Sequence, residues 1–158
     1  TRPIGPTFAT QEARRQAATE RLAAVPSSGT AGRVGELLRA TTLLDANQAG
    51  DAIAILEPLS KSLSSDNTLA GPVKALLASA YHQAGRNDDA LTLLSELAEG
   101  GSKDYPRDMA LASTARILEG MGRVEDARSK WQSAIDEDPQ SPIAQEGRRA
   151  LERLGGGF

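Results

Sequence analysis

The sequence predicts an all-α fold, a right-handed α-solenoid of antiparallel helix hairpins with about eight helices. Three observations carry that expectation. Leu111, Thr114, Ala115, Leu118, Gly122, Ala127, Trp131, Ala134 and Pro139 have the spacing of two short helices joined by a glycine turn. Much of the pattern recurs 37 residues upstream as Leu77, Ala78, Tyr81, Gly85, Ala90, Leu94 and Leu97, with Lys74 in the place of Leu111 and Ser102 in that of Pro139. A hairpin of this kind cannot bury its own apolar face, so successive hairpins must stack and leave an exposed groove suited to another polypeptide.

Along the chain, residues 1–7 read as an extended linker and 8–154 as one domain, a size that suits 158 residues. A helix over 8–24 repeats Ala13, Ala17, Ala18, Leu22 and Val25 three to four apart, with Thr10 as its N-cap. Residues 25–31 parallel 138–144, which makes 8–26 the second half of a degenerate unit. The hairpin 30–64 follows. Its first helix, 30–46, has Val34, Leu37, Leu38, Leu43 and Leu44 as its apolar side, and Asn47 stands where a left-handed turn is wanted. Its second, 51–63, buries Ile53, Leu56, Leu59 and Leu63, with Pro58 expected to kink it or remove a hydrogen bond.

In the hairpin 70–101, Pro72 suits a first helical turn and Gly85 a left-handed C-terminal cap, while Asn87 is expected to cap the next helix ahead of Asp88 and Asp89. In 106–139 the same roles fall to Pro106, Gly122, Glu125 and Asp126. A capping helix over 142–154 sets Ile143, Gly147, Ala150, Leu151 and Leu154 against Gln145, Glu146, Arg148, Arg149, Glu152 and Arg153, the charged side meeting water where the stack stops. Residues 155–158 read as a flexible tail.

Composition narrows the function. The formal net charge is −3 and the two signs are interleaved, which argues against nucleic acid as the main ligand because duplex binding needs clustered cations. There is no cysteine, so no disulfide or thiolate metal site forms, and the redox compartment stays open. No apolar run approaches the roughly 18 residues that cross a bilayer. The opening at Thr1 reads as an unnatural start, and a membrane anchor or a purification-tag junction upstream are the two alternatives.

These residues resemble tetratricopeptide repeats, with Ala115, Ala127 and Ala134 at the small positions where helices cross and Trp131 as the wedge into the neighbouring unit. The preceding unit offers Ala78, Ala90, Leu94 and Leu97, and a weaker one Ala40, Ala52, Leu56 and Leu59. The alanine spacings of 38 and 37 exceed the family's usual length of about 34, so the loops are longer. Residues 8–14 (FATQEAR), 55–59 (ILEPL) and 105–111 (YPRDMAL) are further similar to bacterial cell-envelope members, the YfgM-like ancillary subunits of the Sec translocon. That resemblance implies an N-terminal membrane helix, a periplasmic repeat domain, and translocon, chaperone or secreted client proteins as partners.

Within such a stack the first helix of each hairpin lines the concave face, and counting within each repeat places Leu37, Thr41, Leu44, Ser79, His82, Met109, Arg116 and Glu119 there as a protein-binding groove. The family's C-terminal carboxylate clamp is absent, because Leu37, Thr41, Leu76, Met109 and Ser113 hold the corresponding places. No catalytic residue, metal ligand or cofactor is expected. His82 has no second imidazole and no nucleophile at a known spacing, Asp136, Glu137 and Asp138 lack the alternating calcium loop, and residues 100–103 (GGSK) lack the phosphate-loop spacing. Arg116 and Glu119, three apart, are as well placed to pair with each other as to bind a ligand. The reading is a non-enzymatic interaction module. The alternative is a self-assembling scaffold, a homo-oligomer in which one copy's groove takes another's first helix through Phe8 and Leu22.

Overall fold

The computed structural model describes residues 9–24, 28–100 and 105–155. Eight helices and no strand occur among them: α1 (Gln11–Ala23), α2 (Gly29–Asp45), α3 (Ala49–Ser62), α4 (Ala70–Gln83), α5 (Asn87–Ala98), α6 (Arg107–Gly120), α7 (Val124–Glu137) and α8 (Pro142–Gly155). Each packs on the next in chain order, and the first helices of successive hairpins also meet, α2 with α4 and α6 with α8. The result is the expected solenoid of antiparallel hairpins, α2 with α3, α4 with α5 and α6 with α7, closed by α8.

The same turn joins the helices of all three hairpins. Asn47, Gly85 and Gly122 have φ of 61°, 79° and 75°. At each, the residue's own N–H and the next one bond back to two carbonyls of the preceding helix. Arg86 N–H reaches Tyr81 O at 2.8 Å and Gly85 N–H reaches His82 O at 2.9 Å, and the bonds at Asn47 and Gly122 repeat this arrangement. This Schellman closure satisfies the last carbonyls and reverses the chain. Asn tolerates the left-handed conformation less well than glycine. We therefore expect Asn47→Gly to raise the unfolding free energy by up to about 1 kcal/mol, read as a higher midpoint in thermal denaturation.

Helix starts are more varied. Thr10 accepts the Ala13 N–H at 3.1 Å, the expected cap of α1, and Ser141 caps α8 in the same way through the Ala144 N–H at 3.0 Å. Asn87 does not cap α5. Arg86 occupies the N-cap position, Asn87 is already helical, and its side-chain oxygen lies 2.7 Å from His82 Nδ1. What secures that start is the ion pair from Arg86 to Asp89 at 2.7 Å, repeated at α7 by Arg123 and Asp126, with each carboxylate in the first turn where the helix dipole favours it. α3 runs through Pro58, which is solvent-exposed.

Small residues let the hairpins close. Ala40, Ala52, Ala90, Ala115 and Ala127 are fully buried and Ala78 nearly so. Leu56, Leu94 and Trp131, spaced by one repeat, are the largest fully buried side chains together with Leu97 and Val73. α2 departs from expectation: its fully packed positions are Gly32, Gly35 and Ala40, and Leu37, Leu43 and Leu44 only partly bury against the core. Val34 and Leu38, expected on the buried side, are 37% and 49% exposed. Ile53 of the next helix and Leu63, just past its end, are half-buried. Ala13, Ala17 and Ala18 of α1 are also half-buried. Phe8, Val25 and the Leu22 side chain, as well as residues 101–103, lie outside the described residues.

Candidate protein-binding face

The first helices of the hairpins stand side by side as one layer. Gln83 of α4 donates to the Leu44 carbonyl of α2 at 3.1 Å. His82 of α4 lies beside Gly120 of α6, where a Cβ would fall 3.6 Å from the imidazole Cε1. α6 is tied to α8 by two ion pairs, Arg116 with Glu146 and Glu119 with Arg153, each at 2.6 Å. The turns at Asn47, Gly85 and Gly122 set the register between α2, α4 and α6, so Val34, Pro72 and Met109 occupy one repeat position. Leu38, Leu76 and Ser113 occupy a second, and Thr41, Ser79 and Arg116 a third.

The eight groove residues expected from sequence divide into three kinds. Leu37 and Leu44 are half-buried against the core between α2, α3 and α4. Thr41 and Ser79 are exposed, but their hydroxyls donate to the carbonyls four residues back, Leu37 O at 2.9 Å and Ala75 O at 3.2 Å. His82 is exposed and bonded to Asn87, and Met109 is 43% exposed. Arg116 and Glu119 are not free for a ligand and do not pair with each other. Arg116 grips both carboxylate oxygens of Glu146, at 2.9 and 2.6 Å. Glu119 accepts from Trp131 Nε1 at 2.5 Å and from Arg153 at 2.6 Å. The charged side of α8 is therefore not wholly turned to water, since Glu146 and Arg153 fasten the helix to α6.

Val34, Leu38 and Pro72, which share this layer, are not among the residues that sequence counting placed on it, and Leu76 entered only as the occupant of a clamp position. Counting by repeat aligns Val34 and Pro72 with Met109 by whole units, whereas helical periodicity within α2 alone assigns Val34 and Leu38 to the core. Among the described residues four large hydrophobics are exposed, and three of them, Val34, Leu38 and Met109, lie on this layer at its first two repeat positions. The fourth, Val124, opens α7.

Electrostatics concentrate at the α8 end. The hydrogen bond from Arg116, helped by the charges of Arg116 and Arg153, holds the Glu146 carboxyl below the usual carboxylate range against a smaller opposing effect of burial. A depressed folded-state value means the pair stabilises α8 docking above the ordinary carboxylate range and is lost as pH falls through the lowered value. Acidification below about pH 4 is expected to loosen α8 before the core, and Glu146→Gln should remove that early step. Emission from Trp131, the single tryptophan, measures it.

Elsewhere, two clefts recur one repeat apart. One of about 350 Å³ lies between α5, α6 and α7 over Leu111, Thr114 and Leu118. One of about 290 Å³ lies between α3, α4 and α5 over Leu77 and Tyr81. The Tyr81 ring lies under Arg86 at 4.2 Å, and its hydroxyl donates to Glu57 at 2.8 Å. Burial first, and then that bond, raise the Tyr81 hydroxyl above its ordinary value and keep it a donor. Among the described residues no group of His, Asp or Glu has the arrangement of a metal site. No helix among them is long and apolar enough to cross a membrane.

Residues 75–142 match the tetratricopeptide repeat family, a span from within α4 to the start of α8. The chain superposes on the crystal structure of nearly identical TPR-like repeats from a Podosopora anserina protein assigned as a kinesin light chain, with a TM-score of 0.66 and 18% identity over 92% of this chain and 75% of that one. At that identity the likeness establishes the fold. No curated protein matches the sequence. Tetratricopeptide repeats generally mediate protein–protein interaction, and this stack is all-α and TPR-like.

Proposed function

We propose that the chain is a non-enzymatic protein-binding module that holds partners along the layer formed by α2, α4 and α6. The observation that carries this reading is the grouping of Val34, Leu38 and Met109 at two neighbouring repeat positions, large apolar side chains left exposed on the layer of first helices. Isolated exposed hydrophobic residues need no explanation, whereas a group on one face marks an interaction surface. The bacterial cell envelope is the proposed location and translocon, chaperone or secreted client proteins the proposed partners, on the resemblance of residues 8–14, 55–59 and 105–111 to envelope proteins.

Leu38→Asp combined with Met109→Asp tests the face. Both side chains are already exposed, so the fold should tolerate the change, which circular dichroism verifies. Capture of a translocon or chaperone partner from envelope extracts should be lost. Capture at the level of the unmodified chain refutes the face. Arg116 is unsuited to this test because its substitution would also release α8.

A further inference from the structure

We propose that the cleft between α5, α6 and α7 is a binding site for a small aromatic carboxylate, its ring lying on Leu118 beneath the Arg123 guanidinium and its carboxylate at Lys130. Leu111, Thr114 and Leu118 of α6 line this cleft. At about 100° per residue they project from the side of α6 opposite Met109 and Arg116, so the site stands apart from the protein-binding face proposed above.

The chain holds a filled copy of the cleft one repeat upstream. The turns at Gly85 and Gly122 are built alike: Arg86 N–H bonds to Tyr81 O at 2.8 Å, and Arg123 N–H bonds to Leu118 O at 2.9 Å. Arg86 Nε meets Asp89 at 2.7 Å, and Arg123 Nε meets Asp126 at 2.8 Å. Tyr81 and Leu118 are thus equivalent, as are the two arginines. The walls agree as well, since Glu57, Ser60 and Lys61 of α3 stand in the smaller cleft where Ser95, Ala98 and Glu99 of α5 stand in the larger. In the smaller cleft the Tyr81 ring fills the space under Arg86 at 4.2 Å, and its hydroxyl reaches Glu57. In the larger one the shorter Leu118 leaves the outer part of that space open, Arg123 becomes part of the lining, and the volume rises from about 290 to about 350 Å³. A cleft of this size lined by Leu91, Leu111 and Leu118 suits a small molecule. A guanidinium attracts the face of an aromatic ring laid against it, as Arg86 does here within the chain.

Charge selects the other end of the ligand. The smaller cleft is acidic, with Lys61 among Glu57, Asp89 and Glu96. In the larger, Arg107, Arg123 and Lys130 face Glu99 and Asp126, a surplus of one positive charge. Arg107 is held by Glu137 and Arg123 by Asp126. Lys130 stands where the smaller cleft has Leu93, is exposed, and has no hydrogen bond or ion pair among the described residues. It is the cation that a carboxylate would meet.

The test titrates the full, isotope-labelled chain with phenylacetate, cyclohexylacetate and phenethylamine, following amide resonances of α6 and α7. Phenylacetate should bind at least about threefold more tightly than cyclohexylacetate, which has no π face, and about tenfold more tightly than phenethylamine. Lys130→Glu should reverse the order of acid and amine. Leu118→Tyr rebuilds the upstream arrangement and should abolish phenylacetate binding, whereas Leu38→Asp with Met109→Asp should leave it unchanged even if those two substitutions also fail to affect protein capture. Equal binding of cyclohexylacetate overturns the ring beneath Arg123. An unchanged order in Lys130→Glu overturns the carboxylate at Lys130. Unaltered phenylacetate binding by a Leu118→Tyr chain that circular dichroism shows to be folded overturns the location. Should that chain fail to fold, Lys130→Glu decides, because its position is exposed. Absence of any shift with phenylacetate also overturns the inference.

Discussion

Trp131→Ala is expected to lower the unfolding free energy by about 3–5 kcal/mol, the usual result of removing a buried indole from a packed site. Trp131 is 1% exposed and lies in the cluster with Ala112, Ala115 and Ala150, neighbours too small to fill the space it would vacate. Its loss also frees Glu119 from the indole N–H and removes the ring that Arg116 overlies at 5.5 Å. The ring further abuts Gly147, where a Cβ would come within 3.3 Å of Cε3. The damage should therefore concentrate in α7 and α8. Urea unfolding followed by circular dichroism gives the magnitude, and hydrogen exchange should show lost protection from α6 onward with α2 to α4 spared. A loss below about 1 kcal/mol would mean that the α7–α8 junction collapses to fill the cavity.

Leu94→Ala is expected to cost about 2–5 kcal/mol, with a different distribution. Leu94 holds the same repeat position as Trp131 and is equally buried at 1%, but it belongs to the central hairpin, in a cluster that joins α4, α5 and α6. In a stack whose units touch only their neighbours, weakening the middle uncouples the two ends. Protection should fall on both sides of α5, and the unfolding transition should broaden as the halves begin to melt independently. A sharp, merely shifted transition would show instead that cooperativity passes through the contacts between first helices, such as Gln83 with the Leu44 carbonyl.

Turn chemistry and small-residue spacing made the fold legible in the sequence. Asn47, Gly85 and Gly122 punctuate the chain at intervals of one repeat, and Ala90, Ala127 and Trp131 lie buried where the repeat pattern puts them. Side-chain partnerships were not legible. Asn87 has the composition of a cap, yet the chain enters α5 with Arg86 at the N-cap position and its guanidinium on Asp89, leaving Asn87 to His82. Arg116 and Glu119 looked like each other's neighbours, but each found a closer partner on a helix 30 or more residues away. Val34 and Leu38 were misassigned because periodicity reports which residues are apolar, not which face a neighbouring helix covers. In α2 the contact was made by glycines, which carry no hydrophobic signal.

The shared turn geometry makes the chain divisible into interchangeable lengths. Excising residues 86–122 would join Gly85 directly to Arg123, recreating the Gly122–Arg123 junction and bringing Ala78 opposite Ala127 as Ala115 stands now. The shortened protein would keep its hairpin reversal but place Ser79 and His82 under α8 in the positions of Arg116 and Glu119. Glu146 and Arg153 would then have no ionic partners, and the terminal helix would have to hold by its small apolar residues alone.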